Sequence, residues 1–259
     1  MLKILAIGDI VGEIGLRAVE CALRTLRNEC EIDFTIANGE NASGVGITAN
    51  QAQRLYSAGV DVITLGNHVW GRREIAQFLE DDGYILRPAN MADLAPGRGY
   101  GIFSVKNKLL GVVNLIGRCE MHFGPDNPFH AASKIVKEIT KQTNLCVVDF
   151  HANATSEKAA LCYHLDGKVS AIWGTHTHVQ TADERVFPQG TGFITDLGMT
   201  GPIDSVLGVR AEQSVRMFRG EVPSRFETAE GKCAICGAVF TLDETSGKCT
   251  KVERIRREV

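Results

Sequence analysis

Residues 169–178, VSAIWGTHTH, form an apolar, β-prone run that stops at Gly174 and continues into a His-x-His pair. This pattern predicts a buried strand with the imidazoles of His176 and His178 just beyond its tip. Bends of the backbone at such a tip can turn both rings toward one point. The pair alone would be equally typical of a surface loop, so its interpretation depends on the residues at the tips of the other predicted strands.

Short β-prone runs alternate with helical segments along most of the chain, and this alternation favours an α/β fold. The predicted strands cover residues 2–7, 34–37, 60–65, 84–87, 146–149 and 170–173. The predicted helices cover residues 16–26, 49–57, 72–79 and 131–140. The helix over 49–57 has the clearest bounds, because Thr48 is a suitable N-cap and Gly59 a suitable stop.

Three further pairs of strands are predicted to form antiparallel hairpins. These pairs are 101–105 with 109–115, 185–187 with 191–196, and 234–242 with 249–255. Parallel βα units combined with hairpins predict two packed mixed β-sheets flanked by helices, rather than one doubly wound sheet. We expect residues 1–259 to form a single domain, because no repeat, linker or low-complexity stretch is visible.

The composition excludes several classes of protein. The 259 residues carry a formal charge of −3 and 44% of them are hydrophobic, which gives no reason to expect wholesale binding of nucleic acid or a membrane surface. Residues 2–7 read as a first strand and not as a signal peptide, and no apolar run approaches the length of a bilayer span. We therefore expect a soluble, cytoplasmic protein with no membrane partner.

The eight cysteines agree with a reducing compartment, because most of them lie in apolar contexts. Cys233 and Cys236 form a single C-x-x-C without a second pair. The same residues read as part of a strand, and we favour that interpretation over a zinc or redox site.

Potential metal ligands follow or close several of the predicted strands. In open α/β sheets the carboxyl ends of the strands lie at one edge, so these residues should converge. The candidates are Asp9, Glu40, Asn41, Asn67, His151, His176 and His178. Each has an ordinary alternative, such as a helix cap for Asp9 or a satisfied core histidine for His151. Their common position at strand tips of the same sheet system favours a site.

The types of these side chains indicate which cations they could hold. Carboxylates, amide oxygens and imidazoles without a thiolate suit manganese, iron or zinc better than calcium or magnesium. Seven ligands are too many for one such ion and suit two ions that share a bridge, for which Glu40 is the candidate. Such a site would be net positive, would attract a phosphate diester and would activate a bridging water as the nucleophile. His68, beside Asn67, would be free to protonate the leaving oxygen.

These motifs resemble the calcineurin-like metallophosphoesterases, and most closely their YmdB-like bacterial branch. The resemblance covers residues 3–255 and is carried by Asp9, Gly66-Asn67-His68 and His151, together with residues 39–46, 154–158, 174–184 and 195–202. It implies a four-layer αββα fold with a dinuclear metal centre, iron or manganese being favoured and zinc an alternative. It also implies hydrolysis of phosphodiesters, with 2′,3′-cyclic nucleotides or related RNA-derived diesters as substrates, and a homo-oligomer.

The resemblance also implies a division of the ligands between two metals. Asp9, Glu40, Asn41 and His178 would hold one ion, and Glu40, Asn67, His151 and His176 the other. His68 would be the general acid. The wider superfamily begins with Asp-x-His, whereas the third position here is Val11, and Asn41 is expected to replace the missing ligand.

A second departure affects the surroundings of the site. The branch is expected to have glutamate where this chain has Asn153, and residues 118–123, with Cys119, Glu120 and His122, are unusual for it. A lost carboxylate would change the charge around the ligands and thereby metal preference or substrate choice.

Two alternatives to a phosphodiesterase remain open. A phosphomonoesterase or nucleotidase on the same centre would need a basic group for a terminal phosphate, which the sequence does not place. A non-catalytic, RNA-associated scaffold would be expected to lack ligands or the acid, whereas all seven ligands and His68 are present.

Overall fold

Two mixed β-sheets pack face to face at the centre of the protein in a computed structural model that describes residues 1–121, 124–222 and 224–259. The strands are β1 Leu2–Ile7, β2 Asp9–Ile10, β3 Phe34–Asn38, β4 Val62–Thr64, β5 Ile85–Leu86, β6 Tyr100–Val105, β7 Lys108–Ile116, β8 Cys146–His151, β9 Ala171–Thr175, β10 Arg185–Val186, β11 Gly192–Ile194, β12 Met199–Pro202, β13 Cys233–Leu242 and β14 Cys249–Glu258. The helices are α1 Gly12–Cys30, α2 Ala49–Ala58, α3 Ile75–Asp81, α4 Pro128–Ile139, α5 Thr155–Leu165 and α6 Ala211–Phe218.

The first sheet has the strand order β2-β12-β13-β1-β3-β4-β5, with β14 paired to β13. The second has the order β10-β11-β9-β8-β7-β6. Parallel pairs, such as β1 with β3 and β8 with β9, are combined with antiparallel ones in each sheet. The predicted hairpins correspond to the antiparallel pairs β6–β7, β10–β11 and β13–β14.

The apolar core is arranged in layers, as the resemblance implied. One buried cluster fills the space between the sheets, where Trp173 of β9 and Phe240 of β13 lie with ring centroids 5.4 Å apart. Helices α1, α2 and α3 cover the outer face of the first sheet, and α4 and α5 cover that of the second. The prediction of two packed mixed sheets flanked by helices is therefore confirmed.

Helix α2 shows how local sequence fixes one of the loops beside the strand tips. Thr48 and Gln51 form a reciprocal capping box, and Gly59 ends the helix with a φ of 113°. Gln51 also donates a hydrogen bond from Nε2 to the carbonyl oxygen of Ala42, 2.9 Å away. The cap of this helix therefore also anchors the loop that follows Glu40.

Several predicted boundaries are wrong. The strand expected over 146–149 continues to His151 because β8 pairs with both of its neighbours to that point. The helix expected over 72–79 runs from Ile75 to Asp81, because a turn occupies the residues before it. Helices α5 and α6 and the short strands β2 and β12 were not predicted. None of the helices in the described part of the chain has the length and apolarity that a membrane span requires.

Candidate metal centre

The predicted ligands lie at the carboxyl edges of both sheets. Asp9, Glu40 and Asn67 follow strands of the first sheet and provide oxygen donors, whereas His151, His176 and His178 come from the second sheet and provide nitrogen donors. Asn41 also follows the first sheet, and its amide faces Glu40 and His178 through Nδ2 and His68 through Oδ1. Asp9, Glu40 and His151 are fully buried, and Asn41 is 3% exposed. The packing of the sheets thus brings two chemically different sets of side chains together in the interior.

One group of contacts surrounds Nε2 of His151. This atom lies 3.2 Å from Oε1 of Glu40, 2.8 Å from Oδ1 of Asn67 and 3.1 Å from Nδ1 of His176. The potential ligand atoms of Glu40, His151 and His176 all lie within 4.8 Å of one another. In the described part of the chain, this is the one group of at least three histidine, cysteine or acidic residues that approach so closely.

A second group of contacts adjoins the first through Glu40. Nδ2 of Asn41 lies 3.1 Å from Oε1 of Glu40 and 3.2 Å from Nε2 of His178. Oδ1 of Asp9 is 3.8 Å from the same His178 nitrogen and 4.0 Å from Nδ1 of His151. All seven predicted ligands are therefore brought into one connected cluster.

His68 lies at the border between this cluster and solvent. Its side chain is 37% exposed, and Nδ1 lies 2.7 Å from Oδ1 of Asn41. Its backbone N–H donates to Oε2 of Glu40, 3.1 Å away. When Nδ1–H donates to the amide oxygen, Nε2 is the nitrogen that remains to exchange a proton with a ligand.

A chain of hydrogen bonds behind His151 was not predicted from the sequence. Nδ1 of His151 lies 2.9 Å from Oγ1 of Thr175, whose hydroxyl donates to Oδ1 of Asp149 at 2.8 Å. Thr64 donates to the other oxygen of Asp149. Such a chain makes Nδ1 the donor and turns Nε2 toward the cluster, where its lone pair becomes available to a cation that displaces the Nε2 proton. A carboxylate inside the apolar strand β8 was the signal that could have revealed it.

The loop that carries His176 and His178 has an uncommon backbone conformation, because φ is 102° at His176 and 64° at His178. Thr177, between them, donates to Oδ2 of Asp196 from its backbone N–H at 3.2 Å and from its hydroxyl at 2.7 Å. The same oxygen accepts from Nζ of Lys158, 2.7 Å away. This buried ion pair, which the sequence did not reveal, fixes the loop from behind.

Gly66 allows the closest approach in the cluster. A Cβ atom at this position would lie 2.3 Å from Oε2 of Glu40 and 2.4 Å from Nε2 of His151. No side chain fits at such distances, so the absence of Cβ is required where β4 meets the candidate ligands.

Burial and neighbouring charges shift the pKa values of the cluster. Burial opposes ionisation of Glu40, but His151 and His68 outweigh it and lower the pKa of this carboxyl to about 2. Burial likewise opposes protonation of His151, yet Glu40 and Asp9 outweigh it and raise its pKa to about 9. Burial beside His151 lowers the pKa of His176 to about 4, which leaves that imidazole neutral and able to bind a cation.

The chemistry of the cluster fits a cation. Burial raises the pKa of Asp9, and Oδ1 of this residue is buried without a hydrogen-bond partner within the described residues. A buried acceptor without a partner is costly unless an ion or a proton satisfies it. Two carboxylates, two amides and three imidazoles form a donor set suited to divalent transition metals. Cys233 and Cys236, in contrast, are buried in β13.

The departures at Asn153 and Glu120 lie beside α5. Asn153 donates a hydrogen bond from Nδ2 to Oε2 of Glu120, so a carboxylate is present next to the position where glutamate was expected. Glu157 accepts from the backbone N–H groups of Arg118 and Cys119 at 2.9 and 3.3 Å. His122 and Phe123 lie outside the described residues.

The remaining described histidines lie outside the cluster. His130 is exposed on α4, and Nε2 of His164 is 2.8 Å from Oγ of Ser133.

A cleft of about 780 Å³ opens beside the cluster, and Glu40, His68, His176 and His178 are part of its lining. A second cavity, of about 490 Å³, is bordered by Val136, Leu165 and Lys248 and contains none of the candidate ligands. The candidate centre thus has access to solvent through the larger cleft.

The YmdB-like protein family matches residues 5–255 of this chain. A 2′,3′-cyclic-nucleotide 2′-phosphodiesterase of Bacillus subtilis (strain 168) is 44% identical over 257 residues, which cover 98% of this chain and 96% of the relative. The crystal structure of a hypothetical protein from Thermus thermophilus has a TM-score of 0.93 at 36% identity and covers 99% of both chains. That of a novel phosphatase from Mycoplasma pneumoniae has a TM-score of 0.93 at 33% identity, over 99% of this chain and 93% of that chain.

Proposed function

Because this chain belongs to the YmdB-like protein family, we propose that it is a metal-dependent phosphodiesterase acting on 2′,3′-cyclic nucleotides or related RNA-derived diesters. The observation that carries the proposal is that the seven potential ligands form one connected cluster, and that four of them line a cleft together with His68. The phosphodiesterase named for the Bacillus subtilis relative supports this class of substrate.

Two divalent ions, with iron or manganese favoured over zinc, fit this donor set. Asp9, Glu40, Asn41 and His178 would hold one ion, and Glu40, Asn67, His151 and His176 would hold the other. When bound, such ions supply positive charge for the phosphate group and an activated water for its hydrolysis. The chain's own contribution is to keep the donors rigid, since Glu40 and His151 are buried and hydrogen-bonded on several sides.

His68 would act as the general acid. Asn41 fixes its ring through Nδ1, so that Nε2 can deliver a proton to the oxygen that leaves the phosphorus. Because Asn41 also contacts Glu40 and His178, the same amide relates the orientation of the acid to that of the ligands.

The test of this role uses His68→Ala, with His130→Ala on the exposed face of α4 as the matched control. The variant at His68 should keep its metal content and lose about 100-fold or more of its activity on a cyclic nucleotide. It should lose much less on an aryl diester, whose leaving group needs no proton. Unchanged turnover of the cyclic nucleotide would refute the acid assignment.

The ligand assignment is tested by metal analysis. Asn67→Ala and His176→Ala should each lower the metal content of the purified protein. For the unmodified protein, added manganese or iron should support the highest activity on cyclic nucleotides and aryl diesters. Full metal stoichiometry in both variants would contradict the proposed ligands.

A phosphomonoesterase is the second candidate, and the description of the Mycoplasma pneumoniae relative as a phosphatase favours it. The two functions differ in the ratio of activities on a nucleotide monoester and the corresponding cyclic diester. A ratio above one would favour the monoesterase.

We further propose that residues 1–259 form a single domain, that the protein is cytoplasmic and that it forms a homo-oligomer. The cysteines of the described residues are all free thiols, which suits a reducing compartment. Light scattering of the purified protein tests the oligomeric state.

A further inference from the structure

The cleft beside the candidate metal centre has an apolar wall, formed by Leu207, Met217, Phe218 and Phe226. Three of these side chains are well exposed: Phe218 is 80%, Leu207 50% and Phe226 46% accessible to solvent. Large aromatic side chains are seldom left in water inside a concave surface unless a ligand covers them.

Hydrogen bonds hold the apolar wall in place. Gln213 of α6 donates from Nε2 to the carbonyl oxygen of Arg225 at 2.9 Å and accepts from the N–H of Glu227 at 2.8 Å. The N–H of Arg210 donates to the carbonyl oxygen of Glu227 at 3.0 Å. These bonds connect the segment that carries Phe226 to the helix that carries Phe218. The relative positions of the two aromatic side chains are therefore fixed by the fold.

The wall is also attached to the candidate centre. Nδ1 of His178 donates to the carbonyl oxygen of Leu207, 2.9 Å away. A ligand that rests on the wall therefore lies beside His178 and can reach the cluster with another of its groups.

Two guanidinium groups add positive charge to the same cleft. Arg72 and Arg225 are part of its lining. Arg72 donates from Nη2 to the carbonyl oxygen of Ser43 at 3.1 Å, while its buried Nε has no partner among those residues. An arginine held in this way is suited to bind an anionic oxygen.

We propose that the apolar wall is a nucleobase subsite, in which Phe218 and Phe226 contact the faces of the base while Arg72 binds an oxygen of the phosphodiester. A nucleotide combines an anionic phosphate group with a flat, weakly polar base. Aromatic side chains stack on the faces of such bases whatever their identity. This inference rests on the proposed function and names the part of the site that recognises the substrate.

The test compares two substrates that share the reacting group. Adenosine 2′,3′-cyclic phosphate and methyl riboside 2′,3′-cyclic phosphate differ only in the base. Phe218→Ala should lower kcat/KM about tenfold or more for the nucleotide, mainly through KM, and change it less than about twofold for the riboside. Phe218→Leu should recover little of the loss. Leu94→Ala, at a residue that is 98% exposed and outside the cleft, is the control.

Binding to the metal-free protein gives a second readout. Calorimetry with adenosine 3′-monophosphate should show a weaker affinity for Phe226→Ala and for Arg72→Gln than for the unmodified chain.

Each outcome distinguishes the inference from the proposed function. The subsite would be overturned if Phe218→Ala lowered kcat/KM equally for both substrates, or for neither. It would also be overturned if Phe218→Ala changed the oligomeric state and affected both substrates alike. If the manganese-loaded, unmodified chain hydrolysed neither diester, the proposed function itself would fail.

Discussion

Replacement of Lys158 by methionine should destabilise the protein and loosen the loop that carries His176 and His178. The Lys158 side chain is 1% exposed and that of Asp196 is fully buried, with 2.7 Å between Nζ and Oδ2. Methionine fills a similar volume but leaves the carboxylate of Asp196 without its cationic partner.

The size of the effect depends on the contacts that remain around Asp196. Removing one partner of a buried ion pair costs about 3–5 kcal/mol, because the other charge stays buried. Asp196 would still accept hydrogen bonds from the N–H and hydroxyl of Thr177 and, at 2.8 Å, from the N–H of Gly198. We therefore expect the lower end of that range, about 3 kcal/mol, which for a chain of this size lowers Tm by about 6–12 °C.

Urea and thermal unfolding at neutral pH measure the change, with the exposed Lys134→Met on α4 as the control. The double variant Lys158→Met/Asp196→Asn removes both charges and should regain part of the lost stability. Calorimetric titration with manganese should also show weaker binding by Lys158→Met. A loss of stability below about 1 kcal/mol together with unchanged manganese affinity would refute a supporting role for the pair.

Three further perturbations test other parts of the structure. Gly66→Ala should abolish most metal binding, because its Cβ would lie 2.3 Å from Oε2 of Glu40. The control is Gly83→Ala, whose Cβ would be 3.6 Å from the nearest atom and which should keep its metal. Equal metal contents in the two variants would contradict this prediction. N-ethylmaleimide at about pH 8 should rapidly label only the exposed Cys21 and Cys119, so the intact mass should rise by two labels. Cys146 and Cys162 should react slowly, because burial raises the pKa of their thiols to about 12. Rapid labelling of Cys146 in the native protein would show that its strand opens. Chelation by EDTA should abolish diesterase activity and lower Tm. Manganese added at about 100 times its Kd should restore about 2.7 kcal/mol of stability. A Tm that changes with neither treatment would argue against a metal in the core.

The layered fold could be predicted because its signals are local. The capping residues of α2 and the alternation of apolar runs with helical periods are visible in short windows of sequence. Helix α5 was missed because Lys158 faces inward beside Leu161 and Cys162, which removes the expected contrast between an apolar and a polar face. Strands β2 and β12 were missed because they are short and pair only with distant parts of the chain, as Asp9 does with Met199.

The candidate ligands could be predicted for the same reason, since each lies at the tip of a recognisable strand. The residues that orient them could not. Asp196 and Lys158 are 38 positions apart, and no local pattern indicates that they meet beneath the histidine loop. The carbonyl oxygen of Leu207 is a backbone atom, so its bond to His178 has no signature in the sequence.

The origin of the donors has a consequence for how the molecule holds together. Oxygen atoms come from one sheet and imidazole nitrogens from the other. A cation bound to both sets would therefore cross-link the two sheets through the core. The bound ion would add contacts between the two sheets that neither sheet makes alone. Hydrogen exchange in β3 and β8 should therefore slow together when metal is added, although these strands belong to different sheets.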